Sequence, residues 1–137
     1  MKLDPSAFVA TPELIHSLAG HSAPLVCDQD RVLFRQGEIP QGVFLLLCGQ
    51  ATVIMTSPSG DQLTQFRVGD GSLLGLPGLI GNRPYTLTAT ALAGAELRFI
   101  NRAEFTLVMQ SDPQLALKIL EVLAAEVCAA RRALSDI

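Results

Sequence analysis

The sequence predicts a mainly β protein, an all-β roll or sandwich with a short helix before it and a long helix after it. Two observations predict this. Between Leu25 and Ile100, short runs of Val, Ile, Leu, Phe and Thr are punctuated by Gly, Pro, Asp and Asn at intervals of about ten residues, the spacing of short strands joined by tight turns. After Pro113 there is no Gly or Pro to about Leu134, and Ala and Leu dominate, the composition of a long helix. With 137 residues, 49% hydrophobic and 17% charged, residues 1–137 are expected to form one domain around a proper core.

Residues 1–10 carry little signal. Thr11-Pro12-Glu13 has the order of a helix start: a Thr cap, Pro at the first helical position and an acid in the first turn, with Leu14, Ile15 and Leu18 on one side and Gly20 as the stop. Strands are expected near Val32–Arg35, Gly42–Cys48, Gln50–Thr56, Gln62–Val68, Ser72–Leu74, Tyr85–Ala91 and Ala95–Ile100. Ser57-Pro58-Ser59-Gly60-Asp61 is a hairpin turn in which Pro and Gly supply the fixed and the positive φ, and Gly37, Gly49, Gly69 and Gly94 mark further turns. Asn101 with Glu104 three residues on resembles a capping box for a helix to about Met109. Ser111-Asp112-Pro113 then opens the long helix, a rod of about 33 Å.

On that helix Ala116, Leu120, Leu123, Val127, Ala130 and Leu134 recur at spacings of 4, 3, 4, 3 and 4, a coiled-coil seam, while Leu115, Ile119 and Val122 widen the apolar surface to one side. One face suits the roll and another a partner. A helix this long overhangs a roll of this size, so a homodimer is expected; the alternative is one broad core face on a monomer. Arg131 and Arg132 suit a solvated carboxy-terminal turn.

Charge and cysteine usage exclude several classes. The net charge is −3 with ten scattered Lys and Arg, so these residues alone are not expected to bind DNA. Cys27, Cys48 and Cys128 stand far apart with no CxxC pair, which argues against a cluster, a structural zinc or a disulfide framework and predicts buried small hydrophobes. No signal peptide or membrane span is expected, and the location is expected to be cytoplasmic. His16 and His21 have no evident metal-ligand partner, and haem would need axial ligands, for which they and Cys27 are candidates that nothing else in the sequence supports. Phe34, Phe44, Phe66, Phe99, Met55 and Met109 are expected in the core, and Asp28 with Asp30 in a turn. No catalytic set can be assembled, so no enzyme is expected.

The stretch Gly69–Ala91 carries the functional question. It runs from a glycine turn through Ser72–Leu74 and a glycine- and proline-rich loop into a strand in which Thr86, Thr88 and Thr90 alternate with Leu87, Ala89 and Ala91. A loop with spare backbone amides and one basic residue, set between two strands, is the build of a small-anion pocket.

Val32 to Gly75 resembles the cyclic-nucleotide-binding domain of the catabolite activator and fumarate-nitrate (Crp/Fnr) regulators. The F-x-Q-G-E segment Phe34–Glu38, the strand pair around Gly49 and the Gly69-Asp70 turn carry the resemblance, and order and spacing hold from about residue 12 to residue 134. It implies a double-stranded β-helix, a jelly-roll-like β-roll, with a long carboxy-terminal dimerisation helix and cyclic AMP or cyclic GMP as effector. The family's phosphate cassette supplies an Arg and the following Ser or Thr to the phosphate and a Glu to the ribose. Carried over, Gly75 and Thr86 match, together with Gly78 in the loop, but the Glu position is Leu76, Pro77 removes an amide, and the Arg position falls on Tyr85. Arg83 lies two residues upstream and in an extended segment points to the same side as Tyr85, displaced by about 6.6 Å.

Two functions compete. The first is a dimeric regulatory sensor for a modified or different small-molecule effector, as the sensor half of a transcription regulator or as a stand-alone domain, since the helix-turn-helix common in the family is not within these residues. The second is a ligand-free interaction or dimerisation module in which Leu73, Leu74, Leu76, Leu79 and Ile80 plug the cassette. No resident cofactor or metal is implied.

Overall fold

The computed structural model describes residues 2–135. A single 3-10 turn, Pro5–Phe8, is followed by α1 (Pro12–Ala19), β1 (Ala23–Val26), β2 (Arg31–Phe34), β3 (Gly42–Cys48), β4 (Ala51–Thr56), β5 (Gln62–Val68) and β6 (Leu73–Leu74). Then come α2 (Leu76–Gly81), β7 (Thr88–Ala91), β8 (Glu96–Asn101), α3 (Arg102–Ser111) and α4 (Pro113–Ser135). The strands form two four-stranded antiparallel sheets, ordered β1-β8-β3-β6 and β2-β7-β4-β5, the β-roll expected from the resemblance.

The apolar run of β3 explains the layering. Phe44 and Leu46 face the space between the sheets, where they join Phe34, Val53, Val68 and Leu97. Val43 and Leu45 face the other way, onto Leu14, Leu18, Phe105, Ile119 and Val122 of the helices. A strand covered on both faces reads as a continuous apolar run instead of an alternating one. In β7, by contrast, Ala89 and Ala91 are buried while Thr88 and Thr90 are half-exposed, so one face only is covered.

The family-like motifs act as backbone clamps. The Gln36 side chain bonds both backbone groups of Thr56, its Oε1 accepting from the Thr56 N–H and its Nε2 donating to the Thr56 carbonyl, each at 2.9 Å. Arg35 N–H donates to Glu38 Oε1, closing the turn that contains Gly37 at φ 92°. Asp70 accepts from Gly49 N–H at 2.9 Å, tying the two glycine turns together, and a Cβ on Gly49 would sit 2.8 Å from Ala95 Cα.

Three expectations change. The strand drawn from Tyr85 begins at Thr88, because Tyr85 exchanges its backbone bonds with the Phe34–Glu38 turn, Gly37 N–H to Tyr85 O and Tyr85 N–H to Glu38 O, both 2.9 Å. The loop after Gly75 contains α2, and the 3-10 turn falls in the segment that had no signal. Of the cysteines only Cys27 is buried; Cys48 lies exposed at the end of β3 beside Glu96, and Cys128 sits on the outer side of α4.

The 3-10 turn is capped by Asp4, whose carboxylate accepts from Ser6 N–H at 3.0 Å. It inserts the amino terminus between β5 and the distal part of α4. Phe8 packs on Phe66 with ring centroids 5.6 Å apart, and Leu3 buries against Ala129 and Ala133. The α1–α4 contact is fastened at the surface by Lys118 and Glu13 at 2.6 Å. No described helix is long and apolar enough to cross a membrane.

Candidate functional site

The cassette scaffold is present in the backbone. Gly75 adopts φ 101°, a left-handed conformation, and a Cβ there would lie 3.1 Å from Tyr85 Cε1, so glycine is required on both counts. It opens α2, with Pro77 in the first turn, and Asn82 at φ 52° closes it. Gly78 is packed so tightly that a Cβ would stand 3.1 Å from Pro40 Cγ and from the Arg83 carbonyl. Arg83 N–H donates to the Gly78 carbonyl at 2.9 Å, which folds the segment back toward the roll.

The side chains that a phosphate would need point elsewhere. Leu76 is fully buried among the helix-layer residues and presents nothing polar. Tyr85 turns into the inter-sheet core, stacks on Phe34 at 4.0 Å with an 18° interplanar angle, and donates its hydroxyl to the Gly42 carbonyl at 2.7 Å. Burial pushes its phenol above the ordinary range, so it stays a neutral donor. Tyr85→Phe strands the Gly42 carbonyl; a loss of about 1–2 kcal/mol in urea unfolding is expected, with the fold retained. Arg83 is exposed and lines a groove with Pro40, Asn82, Pro84 and Arg102, whose guanidinium donates to the Pro40 carbonyl at 2.6 Å. It therefore does not share a cavity with Thr86.

Thr86 opens onto a cavity of about 250 Å³ between the roll and α4, walled by Pro77, Met55, Leu87, Val127 and Glu126, with Leu3 and Phe8 at the amino-terminal side. Of the six cassette residues singled out in the sequence, Thr86 alone lines this cavity; Gly75 and Gly78 pack on Tyr85 and Pro40, Leu76 lies in the helix-layer core, and Arg83 and Tyr85 face two other grooves. The larger of these, an open groove of about 620 Å³ by the Phe34–Glu38 turn, has Tyr85, Phe44 and Phe99 along it.

Glu126 was not among the residues singled out. It lies on the stripe Leu115, Ile119, Val122, Glu126, Ala129 and Ala133, which α4 buries against its own chain. Only 8% of it is exposed, and its Oε1 has no hydrogen-bond partner among the described residues. Loss of solvent alone pushes its carboxyl up to about 8. The signal was legible as an acid at an apolar heptad position, one step from the seam that drew attention.

The seam residues themselves lie along the border of that stripe. Leu120, Val127 and Leu134 are exposed by 41%, 45% and 57%, while Ala116, Leu123 and Ala130 are half-buried. Leu117, 60% exposed and absent from the sequence reading, extends the exposed side, so α4 carries two apolar faces. Among the described residues no three His, Cys, Asp or Glu side chains converge as a metal site; His21 Nδ1 lies 3.4 Å from Glu104 Oε2.

Comparison with known proteins places this geometry. The chain is 23% identical over 124 residues to the cyclic AMP receptor protein of Thermus thermophilus, covering 90% of this chain and 57% of that protein. It is 26% identical over 97 residues to the lysophospholipase nte1 of Neurospora crassa, covering 71% of this chain and 6% of that one. The chain thus spans well under two thirds of either relative. A crystal structure of the Thermus thermophilus catabolite activator protein superposes with a TM-score of 0.77 at 22% identity, over 96% of this chain and 62% of that one. The model of the cyclic nucleotide-binding domain matches residues 25–112, and the chain belongs to that family.

Proposed function

We propose that this chain is a regulatory sensor domain of the Crp/Fnr type, taking a small-molecule effector other than an ordinary cyclic nucleotide and signalling through α4 in a homodimer. One observation carries the reading: Gly75 and α2 keep the cassette backbone, with Pro77 and Thr86 facing α4 across a cavity, while Leu76, Tyr85 and Arg83 leave that cavity without a counter-charge for a phosphate. Hydrogen bonds to charged groups contribute about 1.5–3 kcal/mol each, so lacking both the Arg and the Glu contact weakens a cyclic nucleotide by roughly two to four decades. The exposed face of α4 supplies the dimer contact, and the relatives' wider coverage suits a sensor joined to an output domain. In such a regulator the effector would bias the relative placement of the two helices.

Calorimetric titration of the purified chain with cyclic AMP and cyclic GMP is expected to show no binding below about 100 μM, given the lost contacts. Micromolar binding of either would overturn the altered-ligand reading. The second reading, a ligand-free dimerisation module, draws on Leu3 and Phe8, which fill part of the space between the roll and α4.

A further inference from the structure

The cavity between the roll and α4 inverts the charge logic of an anion site. Among the described residues its only ionisable lining group is the carboxyl of Glu126, and its other polar side chain is the Thr86 hydroxyl, which also accepts hydrogen bonds. The remaining lining is apolar, from Met55, Leu87, Val127 and the amino-terminal Leu3 and Phe8. Arg83, the one cation of the cassette segment, lies in a separate groove. Glu126 brings to this wall a carboxyl that is only 8% exposed and whose Oε1 has no partner among the described residues, an acceptor that a donor entering the cavity satisfies once the carboxyl turns toward it.

We propose that this cavity binds a compact, largely apolar cation bearing an amidine or guanidine group, with Glu126 as its counter-charge and Thr86 as a further acceptor. The inference rests on reading this cavity as the effector site. An amidinium brings several N–H donors in one plane, matches a carboxylate edge to edge, and keeps its charge against the group that most needs it. The flat hydrocarbon body then lies on Met55, Leu87 and Val127. An anion of the same shape finds no cation on this wall: it meets a like charge where Glu126 is ionised, and only the neutral O–H donors of Glu126 and Thr86 where it is protonated, against the full cost of its lost hydration. The volume of about 250 Å³ admits one aromatic ring with its amidine.

The test is a titration of the full chain with benzamidine and with benzoate, its near-isosteric anion, followed by calorimetry and by the shift in thermal midpoint. Benzamidine is expected to bind and raise the midpoint, and benzoate to do neither. Glu126→Gln, which keeps the shape and removes the charge, is expected to weaken benzamidine at least about tenfold while the variant stays folded by circular dichroism. Thr86→Val is expected to weaken it less, by a few-fold. Absence of benzamidine binding, equal binding of benzoate, or benzamidine binding unchanged in Glu126→Gln overturns the proposal. If the chain instead binds a cyclic nucleotide and not benzamidine, the cationic ligand is wrong while a sensor role survives. If another small effector binds here but benzamidine does not, the amidine class alone falls.

Discussion

Substituting Leu120→Arg and Val127→Arg together is expected to leave a folded chain that no longer self-associates. In a single copy both side chains are 41% and 45% exposed, along the border of the stripe that packs on the roll, with Val127 also reaching the rim of the cavity. Surface changes of this kind cost a monomer only about 0.5 kcal/mol or less. In a pair of antiparallel or parallel α4 helices each position occurs twice, so four guanidinium groups enter an apolar seam. Burying an uncompensated charge costs about 3–5 kcal/mol, which raises the dimer dissociation constant by at least roughly two decades. Sedimentation equilibrium of wild type and variant at matched concentrations checks this, with circular dichroism confirming the helix content. A wild type that stays monomeric at tens of micromolar, or a variant that stays dimeric, removes α4 as the signalling contact.

The fold was legible because its signals are local. Turn residues at Ser57–Asp61 and Gly49, the uninterrupted Pro113–Leu134 segment and the Thr11 cap each specify a feature within a few residues. What was hidden depends on contacts between distant segments. The start of β7 slips to Thr88 because the F-x-Q-G-E turn captures the backbone of Tyr85, a pairing that no window around Tyr85 displays. Where Arg83 points is likewise decided by the closure of α2 at Asn82 and by Pro40 packing on Gly78. The cassette substitutions were readable one by one, but not that they aim at three separate grooves. Helical periodicity showed two apolar faces on α4 without saying which meets the roll; that choice follows from Leu3, Phe105 and the outer face of β3, each far away in sequence.

Glu126→Leu is expected to produce the largest gain in stability, and a gain that grows with pH. The carboxyl is buried with an unpartnered oxygen and its proton affinity is raised to about 8, with loss of solvent as the sole cause. In the unfolded chain the group titrates near 4.5. Below that value both states hold the proton and the acid carries no ionic penalty. Between about 4.5 and 8 the unfolded chain releases its proton and the folded chain retains it, so the unfolded state binds fewer protons and stability falls as pH rises. Above about 8 both states are ionised and the penalty levels off. The span corresponds to on the order of 3–5 kcal/mol, reduced by any water that enters the cavity beside the carboxylate. Leucine has a similar volume and suits the apolar wall of Met55, Leu87 and Val127, so the substitution removes the ionisable group without opening a large void. Urea unfolding of both proteins at intervals from pH 5 to pH 9 reads the effect as a widening gap between two stability curves, with most of the widening complete by about pH 8. Parallel curves would mean that Glu126 is solvated in the native protein. The same variant lacks the counter-charge that Glu126 brings to the cavity, so the sequence that gains stability is expected to lose the cation. Retaining an acid that costs stability at neutral pH is the pattern of a binding residue, since a ligand that neutralises it recovers what burial removes.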